Sequence, residues 1–208
     1  MYYLVKTPWW LKRLFPTYEW NIDTKEKNIY ISFDDGPHPI ATPFVLDQLK
    51  KYNAQASFFC IGKNVVQYPG IYKRVLEEGH AVGNHTYNHL NGWKSKDEVY
   101  TADITHAANH IDSNLFRPPY GKITRFQARN VHRAMRVEKA RIIMWSVLSA
   151  DFDQAISVEQ CLHNVILNTG PGAIIVFHDS EKAFPLLQKV LPIVLEFFNE
   201  KGYTCKRL

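Results

Sequence analysis

The chain has 208 residues, is 46% hydrophobic and 22% charged, and carries 25 Lys and Arg against 20 Asp and Glu, a net charge of +5. This length and composition are typical of one domain with a sizeable core, and they exclude a disordered tail, a collagen-like chain and a small disulfide scaffold. The most basic stretch, 125–141, mixes its charges with apolar and acidic residues. We therefore expect an exposed helix face there and no nucleic-acid partner.

The first twenty residues carry no secretory signal, because lysines, an arginine and prolines interrupt their apolar residues. No apolar run is long enough to span a bilayer, so the chain as given is expected in the cytoplasm. The aromatic cluster around Trp9 and Trp10 is expected to plug one end of the core, with a peripheral membrane contact as the alternative. Three widely spaced cysteines predict buried, reduced thiols. They are Cys60, Cys161 and Cys205.

Short β-rich runs alternate with helical stretches. In chain order, the pattern predicts a strand at 28–33, a helix at 42–52, a strand at 55–61, a helix at 71–78, a strand at 81–84, a helix at 95–111, a strand at 114–117, a helix at 123–135, a strand at 141–146, a helix at 158–167, a strand at 173–177, a helix at 184–199 and a strand at 203–206. Thr42 is predicted to cap the first helix, and Ser95 with Glu98 to form a capping box at the third.

About seven strand–helix units without a linker favour an α/β fold with a mostly parallel sheet that closes into a barrel. We expect a single domain over residues 1–208, with 1–27 an N-terminal extension that packs on the barrel. Polar residues follow the predicted strands, and the carboxyl ends of barrel strands converge on one face, where sites are built. These residues are Asp34, Asp35, His85, His89, Arg117, Asp151, Asp153, His178 and Asp179.

Two histidines are spaced as metal ligands. On a helical turn, His85 and His89 would share one face within reach of one ion. A carboxylate nearby would complete a set of two histidines and one acid with open positions, which zinc and other divalent transition metals accept. His106 and His110 have the same spacing. They lie within a predicted helix with no strand-end acid beside them, so we expect them on the surface.

The adjacent acids Asp34 and Asp35 close a pleated strand, so their side chains leave it in different directions. One of them can bind a metal while the other handles a proton. An acidic strand-to-helix turn is the alternative, because Asp-Gly-Pro is a good turn signal.

Five short segments lie at the ends of predicted strands and occur in a fixed order along the chain. They are Ile-Ser-Phe-Asp-Asp-Gly-Pro-His at 31–38, His-Thr-Tyr-Asn-His at 85–89, Arg-Pro-Pro-Tyr-Gly at 117–121, a run from Trp to Phe at 145–152, and Ile-Ile-Val-Phe-His-Asp at 174–179. Together they resemble the five ordered motifs of the polysaccharide deacetylases, the NodB-homology or carbohydrate esterase family 4 domain. The resemblance covers residues 28 to about 206 and implies a distorted (β/α) barrel with fewer than eight full units.

The resemblance also implies a metal centre and a base. Asp35, His85 and His89 match the family's metal ligands. Asp34 matches its general base, and Arg117 matches the arginine placed near that base. One divalent transition metal is implied, with Zn²⁺ expected and Co²⁺ or Ni²⁺ as alternatives.

The other matched positions concern proton donation and substrate binding. His178 matches the general acid, and Asp151 matches the aspartate that partners it. The main-chain N–H of Tyr120, which follows Pro119, matches the donor that faces the oxyanion.

Three positions depart from the family pattern. The family usually carries Asp at the position of Leu148, Trp at that of Phe152 and Leu at that of Val176. We expect Phe152 and Val176 to form an apolar pocket for the acetyl methyl group all the same. No role is assigned to Asp153 beyond that of a solvated loop residue.

The implied function is a metal-dependent hydrolase that removes acetyl groups from N-acetylated amino sugars in oligo- or polysaccharides, such as peptidoglycan or chitin-like chains. The expected partner is therefore an acetylated saccharide, and the sequence carries no signal for an oligomeric state. An O-acetyl esterase or a non-sugar amidase on the same scaffold is one alternative. A catalytically inactive saccharide-binding protein is another.

Overall fold

An all-parallel, eight-stranded sheet organises the chain in the computed structural model, which describes residues 3–208. Its strands are β1 (Asn28–Asp34), β2 (Ser57–Cys60), β3 (Ala81–Asn84), β4 (Leu115–Phe116), β5 (Arg141–Ile142), β6 (Val147–Leu148), β7 (Ile174–His178) and β8 (Thr204–Cys205). The spatial order is β5-β4-β3-β2-β1-β7-β6, with β8 beside β1. The sheet curls, and the predicted α/β fold of the barrel type is confirmed.

Helices connect the strands and cover the outside of the sheet. They are α1 (Trp9–Leu14), α2 (Ala41–Lys51), α3 (Gly62–Gln67), α4 (Pro69–Glu77), α5 (Asp97–Ala108), α6 (Arg125–Met135), α7 (Val158–Ile166) and α8 (Phe184–Glu200), with 3₁₀ turns at Gly92–Lys94 and Pro119–Gly121. The best-capped start is that of α6, where Thr124 and Gln127 exchange side-chain-to-backbone hydrogen bonds. The arginines of α6 point to solvent, as the mixed composition of 125–141 predicts.

The strand predicted at 141–146 is wrong in one respect, because two short strands at opposite edges of the sheet replace it. The Ile143 N–H donates to the Phe116 carbonyl beside β4 (2.8 Å), whereas the Ser146 N–H donates to the Ile174 carbonyl of β7 (3.0 Å). One bent stretch thus connects the two edges of the curled sheet. It cannot be a single straight strand, because its two halves pair with different neighbours.

The N-terminal segment lies against this bent stretch. The Thr7 N–H donates to the Ser146 carbonyl (3.0 Å), and the Glu19 N–H donates to the Ile142 carbonyl (2.9 Å). Between these two anchors, α1 stands outside the barrel, and each of its six residues is exposed or intermediate in burial. The expectation that Trp9 plugs the core is therefore wrong.

Two predicted helix caps are also wrong, because other hydrogen-bond partners use the two side chains. Thr42 lies inside α2, and its hydroxyl donates to the Asp179 carboxylate (2.5 Å) instead of capping the helix. Ser95 lies before α5, which begins at Asp97, and its hydroxyl donates to the Asn91 carbonyl (2.9 Å).

Both faces of β1 are buried, which explains its nearly continuous apolar sequence. Residues such as Phe33 face the helices and pack on Phe58 and Phe177. Alternate residues such as Tyr30 face the barrel interior. Asp34 continues the interior row, so it reaches the carboxyl end of the barrel. The cysteines are free, with Cys60 and Cys161 buried and Cys205 half-buried.

Candidate active site

The ends of four strands bring the predicted site residues together. Asp34 ends β1 and is in register with His178, which ends β7. His85 directly follows β3, and Arg117 directly follows β4. In a parallel sheet these carboxyl ends lie along the same edge, so the curled sheet collects the four side chains on one face.

Left-handed backbone conformations are concentrated in the loops of this face. Asp35 (φ 79°), Thr86 (φ 62°), His89 (φ 59°), Tyr120 (φ 60°) and Ala150 (φ 63°) all adopt positive φ. Such conformations cost of order 1 kcal/mol or more each for residues with a side chain, and they persist where the surroundings fix them. The helical turn expected for the two histidines is therefore wrong, because a loop with two left-handed residues carries them.

Asp35, His85 and His89 form a cluster that fits a metal ion. Their candidate ligand atoms all lie within 4.8 Å of one another. Asp35 Oδ1 is 3.1 Å from His89 Nε2 and 3.7 Å from His85 Nε2. This oxygen is buried, and the described residues offer it no hydrogen bond of normal geometry. A buried carboxylate oxygen without a donor is costly, and a cation at the centre of the cluster would satisfy it.

The surroundings prepare His85 as a neutral ligand. Its Nδ1 lies 2.7 Å from the main-chain carbonyl of Arg117, which requires the proton on Nδ1 and leaves Nε2 free. Burial lowers the pKa of His85 to about 4, so the imidazole is neutral at physiological pH. For Asp35, burial would raise the pKa, but the close His89 imidazole and the His178 charge outweigh it and hold the pKa below its usual range.

A buried ion pair lies beside the cluster. Arg117 Nη1 is 2.6 Å from Asp34 Oδ1, and both side chains are almost completely buried. The guanidinium also donates to the Ser32 hydroxyl (2.8 Å) and to the carbonyls of Ile143 (3.2 Å) and Met144 (3.1 Å). Each of these contacts fixes the guanidinium, which in turn holds one Asp34 oxygen in place.

A second buried pair lies on the other side of β1. His178 Nδ1 is 2.8 Å from Asp151 Oδ1, and the His178 N–H donates to Asp151 Oδ2 (2.8 Å). The Ser149 hydroxyl donates to the same carboxylate (3.0 Å). Burial would lower the pKa of His178, but the charge and hydrogen bond of Asp151 outweigh it and raise the pKa to about 9. The imidazolium is therefore the dominant form at neutral pH.

The loop after β4 carries a candidate main-chain donor. Pro118 and Pro119 have no N–H, so the Tyr120 N–H is the first main-chain donor after Arg117. Pro119 is buried, and the exposed Tyr120 ring lies 4.6 Å from the His89 ring, centroid to centroid. The loop thus lies next to the metal-ligand side of the site.

The expected pocket residues flank His178. The Phe152 ring packs edge-on against the His178 ring, with centroids 5.1 Å apart. Val176 is buried two residues before His178, so it occupies the same face of β7 one step deeper in the barrel. Val176 is also in register with Leu148 of β6. Asp153 accepts a hydrogen bond from the Tyr3 hydroxyl (3.0 Å), so it is engaged with the N-terminal segment.

Sequence patterns assigned no role to two positioning acids, of which only Asp179 was among the strand-end residues singled out. Asp103 of α5 accepts hydrogen bonds from the N–H groups of Tyr87 and Asn88 (2.9 Å each), so it holds the loop that carries both histidines. Asp179 accepts from the Gly36 N–H (3.1 Å), and a Cβ on Gly36 would lie 2.2 Å from that carboxylate. Asp103 carries no sequence signal, because its partners are main-chain groups of a distant loop.

The second histidine pair lies elsewhere. His106 and His110 are exposed, and the His106 ring stacks on Tyr87 with centroids 3.6 Å apart. Within residues 3–208, the cluster at Asp35 is the group of three ligand side chains close enough to hold an ion.

The chain is a curled parallel barrel, and its rim carries a candidate metal cluster between a carboxylate–arginine pair and a histidine–carboxylate pair. These features define the class of enzyme-like α/β barrels. Within that class, the chain belongs to the polysaccharide deacetylase family, whose family model matches residues 21–138. The five ordered motifs supply the residues of the site just described.

Proteins similar to the chain include deacetylases of peptidoglycan and of chitooligosaccharides. A peptidoglycan-N-acetylglucosamine deacetylase of Bacillus cereus is 37% identical over 200 residues, 92% of each chain. A chitooligosaccharide deacetylase of Azorhizobium caulinodans is 35% identical over 165 residues, 76% of each chain. The crystal structure of the Bc1960 peptidoglycan N-acetylglucosamine deacetylase matches with a TM-score of 0.86 at 29% identity, over 97% of this chain and 95% of that one. The NodB-type barrel of this family is therefore the fold of the chain.

Proposed function

We propose that the chain is a hydrolase that removes acetyl groups from N-acetylated amino sugars in oligo- or polysaccharides, with one divalent transition metal held by Asp35, His85 and His89. The ligand set of two histidines and one carboxylate suits Zn²⁺, which we expect, and also Co²⁺ or Ni²⁺. The observation that carries the proposal is a single cluster flanked by an ionisable carboxylate and a protonated imidazole.

When bound, the metal would polarise the acetyl carbonyl and make a water molecule more acidic. Asp34 is the residue placed to accept the proton of the attacking water. Its Oδ1 is held by Arg117, so the carboxylate has a fixed orientation when the proton arrives. The buried arginine also offsets the negative charge that Asp34 and Asp35 concentrate at the end of β1.

His178 donates the proton that the leaving amine needs, because an amide nitrogen leaves poorly as an anion. With its pKa raised to about 9, His178 carries that proton at neutral pH. The Tyr120 N–H is the main-chain donor for the negative charge that develops on the acetyl oxygen. Phe152 and Val176 provide apolar surface beside His178, which suits the acetyl methyl group.

The substrate class rests on the relatives named above, one of which is described as acting on peptidoglycan and another on chitooligosaccharides. The first description names N-acetylglucosamine, and chitooligosaccharides are short chains of the same unit. We therefore assign this chain to N-acetylated amino sugars as a class.

The test is acetate release from chitooligosaccharides and from acetylated xylan by the metal-loaded protein. We expect release from the chitooligosaccharides, loss of it in His85→Ala, and wild-type release in His110→Ala, which removes an exposed imidazole. Release from xylan alone would replace the proposal with an O-acetyl esterase. Bound metal without turnover on any acetylated sugar would replace it with an inactive saccharide-binding protein.

A further inference from the structure

A patch of large apolar side chains stands on the outside of the barrel. It consists of Trp9, Trp10 and Leu14 of α1 together with Leu4 of the short segment that leads into α1, and we call this set the N-terminal patch. Their exposed fractions are 72%, 52%, 65% and 56%, in that order. A cluster of this kind is costly in water and marks an interaction surface, whereas single exposed apolar residues do not.

The N-terminal patch sits on a fixed scaffold. On one side of α1, the Leu148 N–H donates to the Val5 carbonyl (2.8 Å), which ties the segment to β6. On the other side, the Trp20 indole N–H donates to the Phe15 carbonyl (3.1 Å), and Trp20 is buried. The exposed tryptophans are therefore presented by a helix anchored at both ends.

The charged side chains of the segment that forms the N-terminal patch are of one sign. Residues 1–18 contain Lys6, Lys12 and Arg13 and no acidic residue. Lys6 and Arg13 are exposed, and Arg13 shares the outer side of α1 with the tryptophans. Glu19 is the first acid of the chain. It forms a bidentate salt bridge with Arg141, so its charge is neutralised by that arginine and not by Lys6, Lys12 or Arg13.

We propose that the N-terminal patch docks onto an anionic phospholipid surface. Tryptophan prefers the boundary between headgroups and acyl chains, leucine enters the apolar layer, and flanking Lys and Arg bind acidic headgroups. With six residues α1 lies along the interface, and the residues that the structure describes include no helix long and apolar enough to cross a bilayer.

The N-terminal patch is continuous with the rim of the candidate active site. Leu4 follows Tyr3, whose ring contacts the Phe152 ring with centroids 5.7 Å apart. Phe152 in turn packs against His178. Docking through this patch therefore brings the His178 side of the site close to the lipid headgroups.

The test is sedimentation of the full chain with vesicles of phosphatidylcholine alone or mixed with phosphatidylglycerol. We expect stronger binding to the phosphatidylglycerol vesicles. Each of Trp9→Ser and Trp10→Ser should weaken this binding about tenfold or more, as expected for loss of an aromatic ring that becomes buried in the lipid layer. Lys6→Glu with Arg13→Glu should weaken it about thirtyfold or more, and only on the anionic vesicles.

Two matched controls separate docking from a general effect. Trp93→Ser removes a similarly exposed indole, and Arg129→Glu with Arg133→Glu reverses two exposed charges on α6; neither should change vesicle binding. Acetate release from soluble substrate and the circular dichroism spectrum verify that the patch variants fold. Absence of wild-type binding to phosphatidylglycerol vesicles, or an equal loss in Trp93→Ser, would overturn the proposal. Lipid-free self-association that Trp9→Ser abolishes, without vesicle binding, would assign the patch to a protein interface instead.

Discussion

Replacing Asp151 by Asn tests how His178 keeps its proton. In the wild-type protein, the pKa of His178 is raised from an ordinary 6.5 to about 9, although burial alone would lower it. Asp151→Asn removes the largest of the charges that oppose burial, so the pKa should fall back toward 6.5. The difference corresponds to about 3 kcal/mol between the two protonation states. The amide can still accept the Nδ1 proton, but its NH₂ group would then face the His178 N–H.

The assay is the pH dependence of turnover on a chitooligosaccharide. A general acid must be protonated to donate, so turnover should fall as pH rises through the pKa of His178. We expect the alkaline limb of the wild-type profile near pH 9 and that of Asp151→Asn at least two pH units lower, with a smaller change in the acid limb. Glu159→Gln removes the same charge from an exposed site on α7 and should leave the profile unchanged.

Stability gives a second readout of the same pair. Because the folded-state pKa of His178 is raised, the stabilisation is fully present below pH 6.5 and is lost as pH rises through about 9. The free energy of unfolding of the wild-type protein should therefore fall across this window more steeply than that of Asp151→Asn. An alkaline limb that stays near pH 9 in the variant, with wild-type turnover, would refute the pairing of Asp151 with the catalytic acid.

Three further predictions address the rest of the site. His89→Ala should lose bound metal in elemental analysis while His106→Ala keeps it, and equal loss from both would contradict the cluster at Asp35. Asp34→Asn should keep its metal but lose about 10²–10⁴-fold in turnover. The same variant should be less stable to denaturant by about 3–5 kcal/mol, because buried Arg117 loses its counter-charge. Loss of metal from Asp34→Asn would reverse the roles of Asp34 and Asp35. Asp103→Ala should weaken metal affinity about 10–100-fold in a titration, and an unchanged affinity would show that the loop holds its shape without this acid.

Periodicity and topology made much of the fold predictable from the sequence. Runs of alternating or continuous apolar residues marked the strands, because strands buried on both faces need apolar side chains throughout. Since parallel strands end on one face, the acids after β1 and the histidine at the end of β7 could be placed together from the order of the strands alone. The five ordered motifs then identified the family.

The features that sequence patterns misplaced depend on partners far away in the chain. Thr42 has the sequence of a helix cap, but its hydroxyl is used by Asp179, 137 residues later. The spacing of His85 and His89 is that of a helical turn, but Asp103 ties the intervening main chain into a loop. Local propensity cannot include such contacts, and functional sites are where they override it most often.

Arg117 shows why the separate roles in this site are not independent. Its carbonyl fixes the proton of His85, its guanidinium fixes Asp34, and the same guanidinium binds the carbonyls of Ile143 and Met144 on the bent stretch that joins the sheet edges. A lysine has one point charge and cannot reach four acceptors in a plane, so only arginine can make this set of contacts. A substitution there would disturb the metal ligand, the base and the closure of the barrel at once. The roles are separable only through residues that touch one of them each, which is why the variants above include Asp34 and His85, which contact Arg117, and not Arg117 itself.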